Sequence, residues 1–156
     1  MKELNGGLKW HGFVSTWGML LLAFGGIGRG LLQLGVFGSP YGDLESRAIM
    51  YGLYPSLRGL DVALAIAYFA AALFALYTGL HLLAFRKGAP RKLDILQIVF
   101  VAIPIVQVLA VGSAIDRDAW GESMAKSEVR IRLLVIAGLF IFNHLYYKRH
   151  GDRFDQ

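Results

Sequence analysis

Apolar residues in this chain arrive in long blocks. Four stand out, Phe13 to Val36, Leu60 to Phe85, Ile95 to Ala114 and Ile131 to Tyr147, each bounded by charge or by Gly and Pro. About 20 residues of α-helix cross the roughly 30 Å hydrocarbon layer of a bilayer, so each block predicts a transmembrane helix. The expected fold is all-α: an integral membrane four-helix transmembrane bundle forming one domain over residues 1–156. No internal repeat or second domain is visible.

The polar connections orient the bundle. Arg86-Lys87-Gly88-Ala89-Pro90-Arg91-Lys92 makes a short basic turn between the second and third blocks, and Lys148-Arg149-His150-Gly151-Asp152-Arg153 follows the fourth. Asp43, Glu45, Asp61, Asp116, Asp118, Glu122 and Glu128 lie in the other connections or at their helix ends. The Lys/Arg asymmetry predicts that both termini are cytoplasmic. Trp10, Trp17, Tyr146 and Tyr147 then mark the inner interface, and Tyr41, Tyr51, Tyr54 and Trp120 the outer one. Within the outer loop 37–59, Gly38 to Gly42 reads as a turn and Leu44 to Tyr54 as a short interfacial helix.

Composition agrees. Of 156 residues, 56% are hydrophobic and 17% charged, more apolar surface than one small water-soluble core hides. The formal charge of +5 sits in clusters flanking apolar blocks, which argues for membrane topology and against nucleic-acid binding. Lys2 and Lys9 before the first block mimic a secretory signal, yet that block holds Trp17 and Arg29, so an uncleaved helix is expected. The absence of cysteine excludes disulfides, thiolate metal sites and cysteine nucleophiles.

Several polar groups fall inside the blocks. Arg29 costs about 2.5 to 3.5 kcal/mol at a helix centre on the insertion scale, offset by neighbouring Leu, Ile and Phe. Outward snorkelling or pairing with Asp61 would lower that cost, and a ligand-facing role is the sharper alternative. Around it, Gly25-Gly26-Ile27-Gly28-Arg29-Gly30 lacks the preceding strand and the Lys-Ser/Thr ending of a phosphate loop. Gly26 and Gly30 instead form a small-xxx-small pair suited to close helix packing, within the chain or with a second copy. Gln97, Pro104 and Gln107 share a broad face of the third helix and predict an inward-facing kink with interhelical hydrogen bonds, or the wall of a polar cavity.

His11, His81, His144 and His150 are expected near cytoplasmic helix ends. His81 and His144, at similar depth on the second and fourth helices, suit the axial ligation of a haem, although no His-Glu-x-x-His spacing occurs and interfacial histidines commonly just meet head groups. No catalytic set assembles. There is no Gly-x-Ser-x-Gly elbow, Asp61 and Asp94 are expected at opposite faces, and adjacent Asn143 and His144 point about 100° apart.

The cytoplasmic rim carries a family likeness. Gly6-Gly7-Leu8-Lys9-Trp10, Phe85-Arg86-Lys87 with Pro90, and Tyr146-Tyr147-Lys148-Arg149 followed by Arg153-Phe154 resemble a bacterial inner-membrane family known as domain of unknown function 2569. Where that family has Pro-Tyr in its last helix, this chain has Asn143-His144. The resemblance implies a four-helix topology and a bacterial inner-membrane location, and no activity.

Together these residues predict a non-enzymatic structural or interaction subunit, meeting anionic lipid head groups at its basic rim and a second copy or another membrane protein through its small-residue faces. No metal and no resident cofactor are expected. A small oligomeric transporter or channel using Arg29, Gln107 and Asn143 is the first alternative, and a haem- or quinone-linked anchor using His81 and His144 the second.

Overall fold

The computed structural model describes residues 9–115, 124–150 and 154. Trp120, Asp116, Asp118 and Glu122 of the predicted outer connection, and Gly6, Gly7, Leu8 and Arg153 of the rim motif, lie outside the described residues. Within them the chain is helical, with no strand beyond a single bridge between Ser39 and Gly42. The elements are α1 (Lys9–Leu34, containing a π-helical turn at Val14–Gly18), α2 (Leu44–Leu53), α3 (Ser56–Leu83), α4 (Ala89–Ala114) and α5 (Met124–Arg149). Three of the helices, Lys9–Leu34, Ser56–Leu83 and Ala89–Ser113, are long and apolar enough to cross a membrane.

All four long helices begin before the predicted blocks, while α1 and α3 stop two residues short of theirs. Charge marks where hydrocarbon gives way to head groups, whereas the helix continues until its backbone bonds are otherwise satisfied. At α4 the first turn absorbs Ala89 to Lys92, which the sequence pattern places in the basic turn. Pro90 is compatible because first-turn N–H groups have no intrahelical partner to lose.

The main seam joins antiparallel α1 and α3, with α4 packed on α3, α5 on α4, and α2 against α3. The sequence pair Gly26 and Gly30 serves this seam, so its partner is intramolecular. A Cβ on Gly26 would lie 3.0 Å from the Tyr68 carbonyl, and one on Gly30 2.7 Å from the Phe69 ring. Further along, a Cβ on Gly79 would lie 2.9 Å from the carbonyl of Ser15, inside the π turn. Ser15 Oγ donates to the His11 carbonyl at 2.7 Å and Thr16 donates to Gly12. Such back-bonding competes with the regular ladder and accompanies the local widening. Ala23, Tyr68, Ala71, Ala75, Leu96 and Phe100 fill the core, while Phe24, Ile66, Leu73 and Leu109 stay on the outside, as lipid-facing residues do.

Candidate functional site

Polar chemistry collects at the two ends of the bundle. At the first end α1 stops in a Schellman motif: Gly35 is left-handed (φ 77°), its N–H donates to Leu32, and the N–H of Val36 donates to Leu31. Asp43 then starts α2 by accepting the N–H of Ser46 at 2.6 Å. The Ser46 hydroxyl first, and then its N–H, hold the Asp43 carboxyl below its usual range. The cap sets the phase of α2 so that Arg47 and Tyr51, four residues apart, face α1 and α3.

Arg47 Nη2 donates to the Gln33 carbonyl at 2.6 Å, satisfying one of the last carbonyls of α1, and its Nε donates to Tyr51 Oη at 2.8 Å. Tyr51 in turn donates to Asp61 Oδ2 at 2.6 Å, and Tyr41 donates to Oδ1 at 3.0 Å. Asp61 is fully buried. The guanidinium beside it is Arg47, not the Arg29 that the sequence suggested. Burial, then the charge of Asp61 and the bond to it, push the Tyr41 phenol far above its ordinary value. Tyr51 is raised too, by burial first and then by its bond to Asp61. The result is a hydrogen-bonded strap fastening α2 across α1 and α3.

Arg29 lies elsewhere, half-buried on the wall of a laterally open cleft of about 240 Å³ lined also by Leu22, Gly25, Tyr68, Phe100, Pro104 and Ile136. Pro104 and Gln97 are buried and Gln107 is half-buried, so the predicted face of α4 does turn inward. Gln107 is not part of the cleft wall.

The second end gathers residues from both extremes of the chain. Trp10 Nε1 donates to Asn143 Oδ1 at 3.2 Å, and His11 Nδ1 lies 3.1 Å from Tyr147 Oη. The rings of Phe85, Tyr147 and Phe154 surround His11 at 4.5, 6.0 and 5.7 Å. Phe85 closes α3 in the left-handed region (φ 49°), a strained conformation for a bulky residue. Its stacking on His11 helps hold it there.

His81 and His144 do not meet. His81 Nδ1 lies 2.6 Å from Lys92 Nζ, and His144 Nδ1 lies 3.1 Å from Asp94 Oδ2. Lys92 and Asp94 are two residues apart on α4 and so about 200° apart around it, which places the histidines on separate flanks and leaves no shared haem face. Among the described residues no three His, Asp or Glu side chains gather as a metal site.

No family model, curated protein or solved structure matches this chain. The likeness of its rim to the four-helix family therefore stays an expectation. Of the predicted site residues, Gly26 and Gly30 meet α3, Asn143 meets Trp10, and Asp61 meets two tyrosines. Sequence reasoning did not find Arg47, although an Arg and a Tyr four residues apart on a short helix beside an intramembrane acid are a readable signal.

Proposed function

We propose that this is a bacterial inner-membrane protein whose four long helices all cross the bilayer, with both termini cytoplasmic, and that it acts as a non-enzymatic interaction subunit. The observation that carries the reading is the state of α5. Leu134, Val135, Leu139, Ile141, Phe142 and Leu145 are exposed, while Asn143 and Tyr147 anchor one end of the helix. A helix fixed at one end, with an apolar wall and Gly138 at its middle, suits lateral docking of another membrane helix. The polar residues nearest to chemistry are spent on internal bonds, which favours a scaffold over a catalyst.

The chain has no cysteine, so single cysteines report cleanly. Cysteines at Gly138 or Phe142 should crosslink to a second copy or to a membrane partner in intact membranes, while one at Leu73 on α3 should not. Equal crosslinking at both helices, or none at α5, would remove the interaction reading. Labelling of cysteines at Ser39 and Gly88 from opposite sides tests the topology. The transporter reading draws support from the cleft beside Arg29. Wild-type proteoliposomes no leakier than empty ones, with Arg29→Ala unchanged from wild type, would count against it.

A further inference from the structure

Where α3 turns into α4, four cations fall within residues 86–92 with no carboxylate between them: Arg86, Lys87, Arg91 and Lys92. The first turn of α4 contains no acid, and Gly88 offers no side-chain cap. A helix N-terminus carries roughly half a positive charge and ordinarily attracts Asp or Glu. Here basic residues stand near it, and the first acid along α4, Asp94, is turned to His144 on α5. Cations placed on a positive helix end raise the free energy unless an anion joins them.

Lys92 is held in place for such a partner. Its Nζ donates to Tyr77 Oη at 3.1 Å, lies 2.6 Å from His81 Nδ1, and sits 4.6 Å from the centre of the Tyr77 ring. An ammonium only donates, so Nδ1 accepts and the ring proton of His81 is on Nε2. One N–H of Lys92 is thereby left for a further acceptor, while the Nε2–H of His81 points away on the other side of the ring. Leu73 and Leu80 flank Tyr77 on its face of α3, and Ile95 follows Lys92 on α4; all three are exposed and apolar.

We propose that this corner binds one anionic phospholipid, its phosphate taken by Lys92, which His81 and Tyr77 hold in place, within the field of Arg86, its acyl chains lying along Leu73, Leu80 and Ile95. The apolar wall beside the donors selects a lipid over a soluble phosphate. The inference rests on the reading that these helices lie in a bilayer, but not on lateral association through α5.

Native mass spectrometry of the detergent-purified chain with phosphatidylglycerol and phosphatidylcholine of matched acyl chains tests it. Wild type should retain one phosphatidylglycerol at least about tenfold more readily than phosphatidylcholine, since a basic residue near the surface contributes about fivefold (about 1 kcal/mol). Lys92→Gln should lower that preference by about fivefold, Lys92→Arg should keep it, and Lys148→Gln on α5 should leave it unchanged. Equal retention of both lipids by wild type would overturn the proposal. So would an equal loss in Lys148→Gln, or displacement of the lipid by millimolar inorganic phosphate, which would mark a site for soluble anions. If Lys92→Gln fails to purify, the wild-type lipid comparison and the phosphate competition decide alone. Failure of the α5 crosslinks would leave this result untouched, whereas a chain that stays dispersed without detergent would end the membrane reading itself.

Discussion

The two ends of the bundle are built from similar groups but close very different loops. At the Asp61 end the bonds join residues 20, 10 and 14 positions apart: Tyr41 to Asp61, Tyr51 to Asp61, and Arg47 to Gln33. At the other end Trp10 reaches Asn143 across 133 positions and His11 reaches Tyr147 across 136. Loop closure costs more for the longer loops, though only logarithmically. The first end is thus a local strap that holds α2 down. The second closes the chain upon itself by bringing α1 to α5. A fault in the strap should stay local to α2, and a fault in the clasp should free α5.

The largest effect should come from Asp61→Ala. It leaves two phenol hydroxyls without their acceptor and Arg47 without its neighbouring carboxylate, a loss of about 3 kcal/mol. Hydrogen exchange should speed up across α2 and leave α5 as it was. Uniform acceleration through all helices would break the contrast between a local strap and a global clasp.

Alkaline titration sharpens the same end. Burial and the neighbouring carboxylate hold Tyr41 well above its ordinary value. A raised phenol stabilises the folded protein fully below the unfolded pKa near 10, and that contribution fades as pH rises toward the higher folded value. Absorbance at 295 nm should therefore show exposed tyrosines ionising first and Tyr41 only on unfolding. In Asp61→Asn the Tyr41 step should move down. An unchanged step would mean that burial alone holds the phenol.

Next in size is the seam between the ends. Gly79→Ala drives a methyl against the Ser15 carbonyl, and backbone in a packed π turn yields little, so about 2 kcal/mol should be lost. Gly30→Ala meets only the Phe69 ring, which can turn aside, and should cost less despite a shorter nominal contact. Thermal unfolding of both variants orders them. The reverse order would mean that the turn around Ser15 is softer than its packing implies.

Much of the architecture was legible in the chain itself because lipid imposes a simple rule. Long apolar blocks must be helices, and the stretch Leu44 to Tyr54 read as a short interfacial helix matches α2 to within one residue at its end. Gly26 and Gly30 announced a close approach, though not to which helix. What stayed hidden were partners set by three-dimensional phase. The spacing of Arg47 and Tyr51 hints at a partner for Asp61 but does not choose Arg47 over Arg29, because that depends on how Asp43 rotates α2 and how Gly35 ends α1. The π turn at Val14–Gly18 was equally invisible, since Ser and Thr in a helix read as neutral until their hydroxyls are seen to bond backward. His81 and His144 matched in depth, yet depth says nothing about azimuth, and α4 stands between them.

The smallest predicted effect sets apart the two neighbours Asn143 and His144. Asn143 is buried and accepts from Trp10, so Asn143→Leu leaves an indole N–H without its acceptor and should cost about 1 kcal/mol, with a shift in Trp10 emission. His144 is half exposed on the next residue and pairs with Asp94 at 3.1 Å, where water screens the interaction. His144→Gln should change stability by less than about 0.5 kcal/mol and leave α5 protected from exchange. A clasp made by Asn143 and Tyr147 predicts that ordering. Were His144→Gln to release α5 while Asn143→Leu did not, the anchor of α5 would lie on its α4 side, and the division of the molecule into a local strap and a long-range clasp would lose its second half.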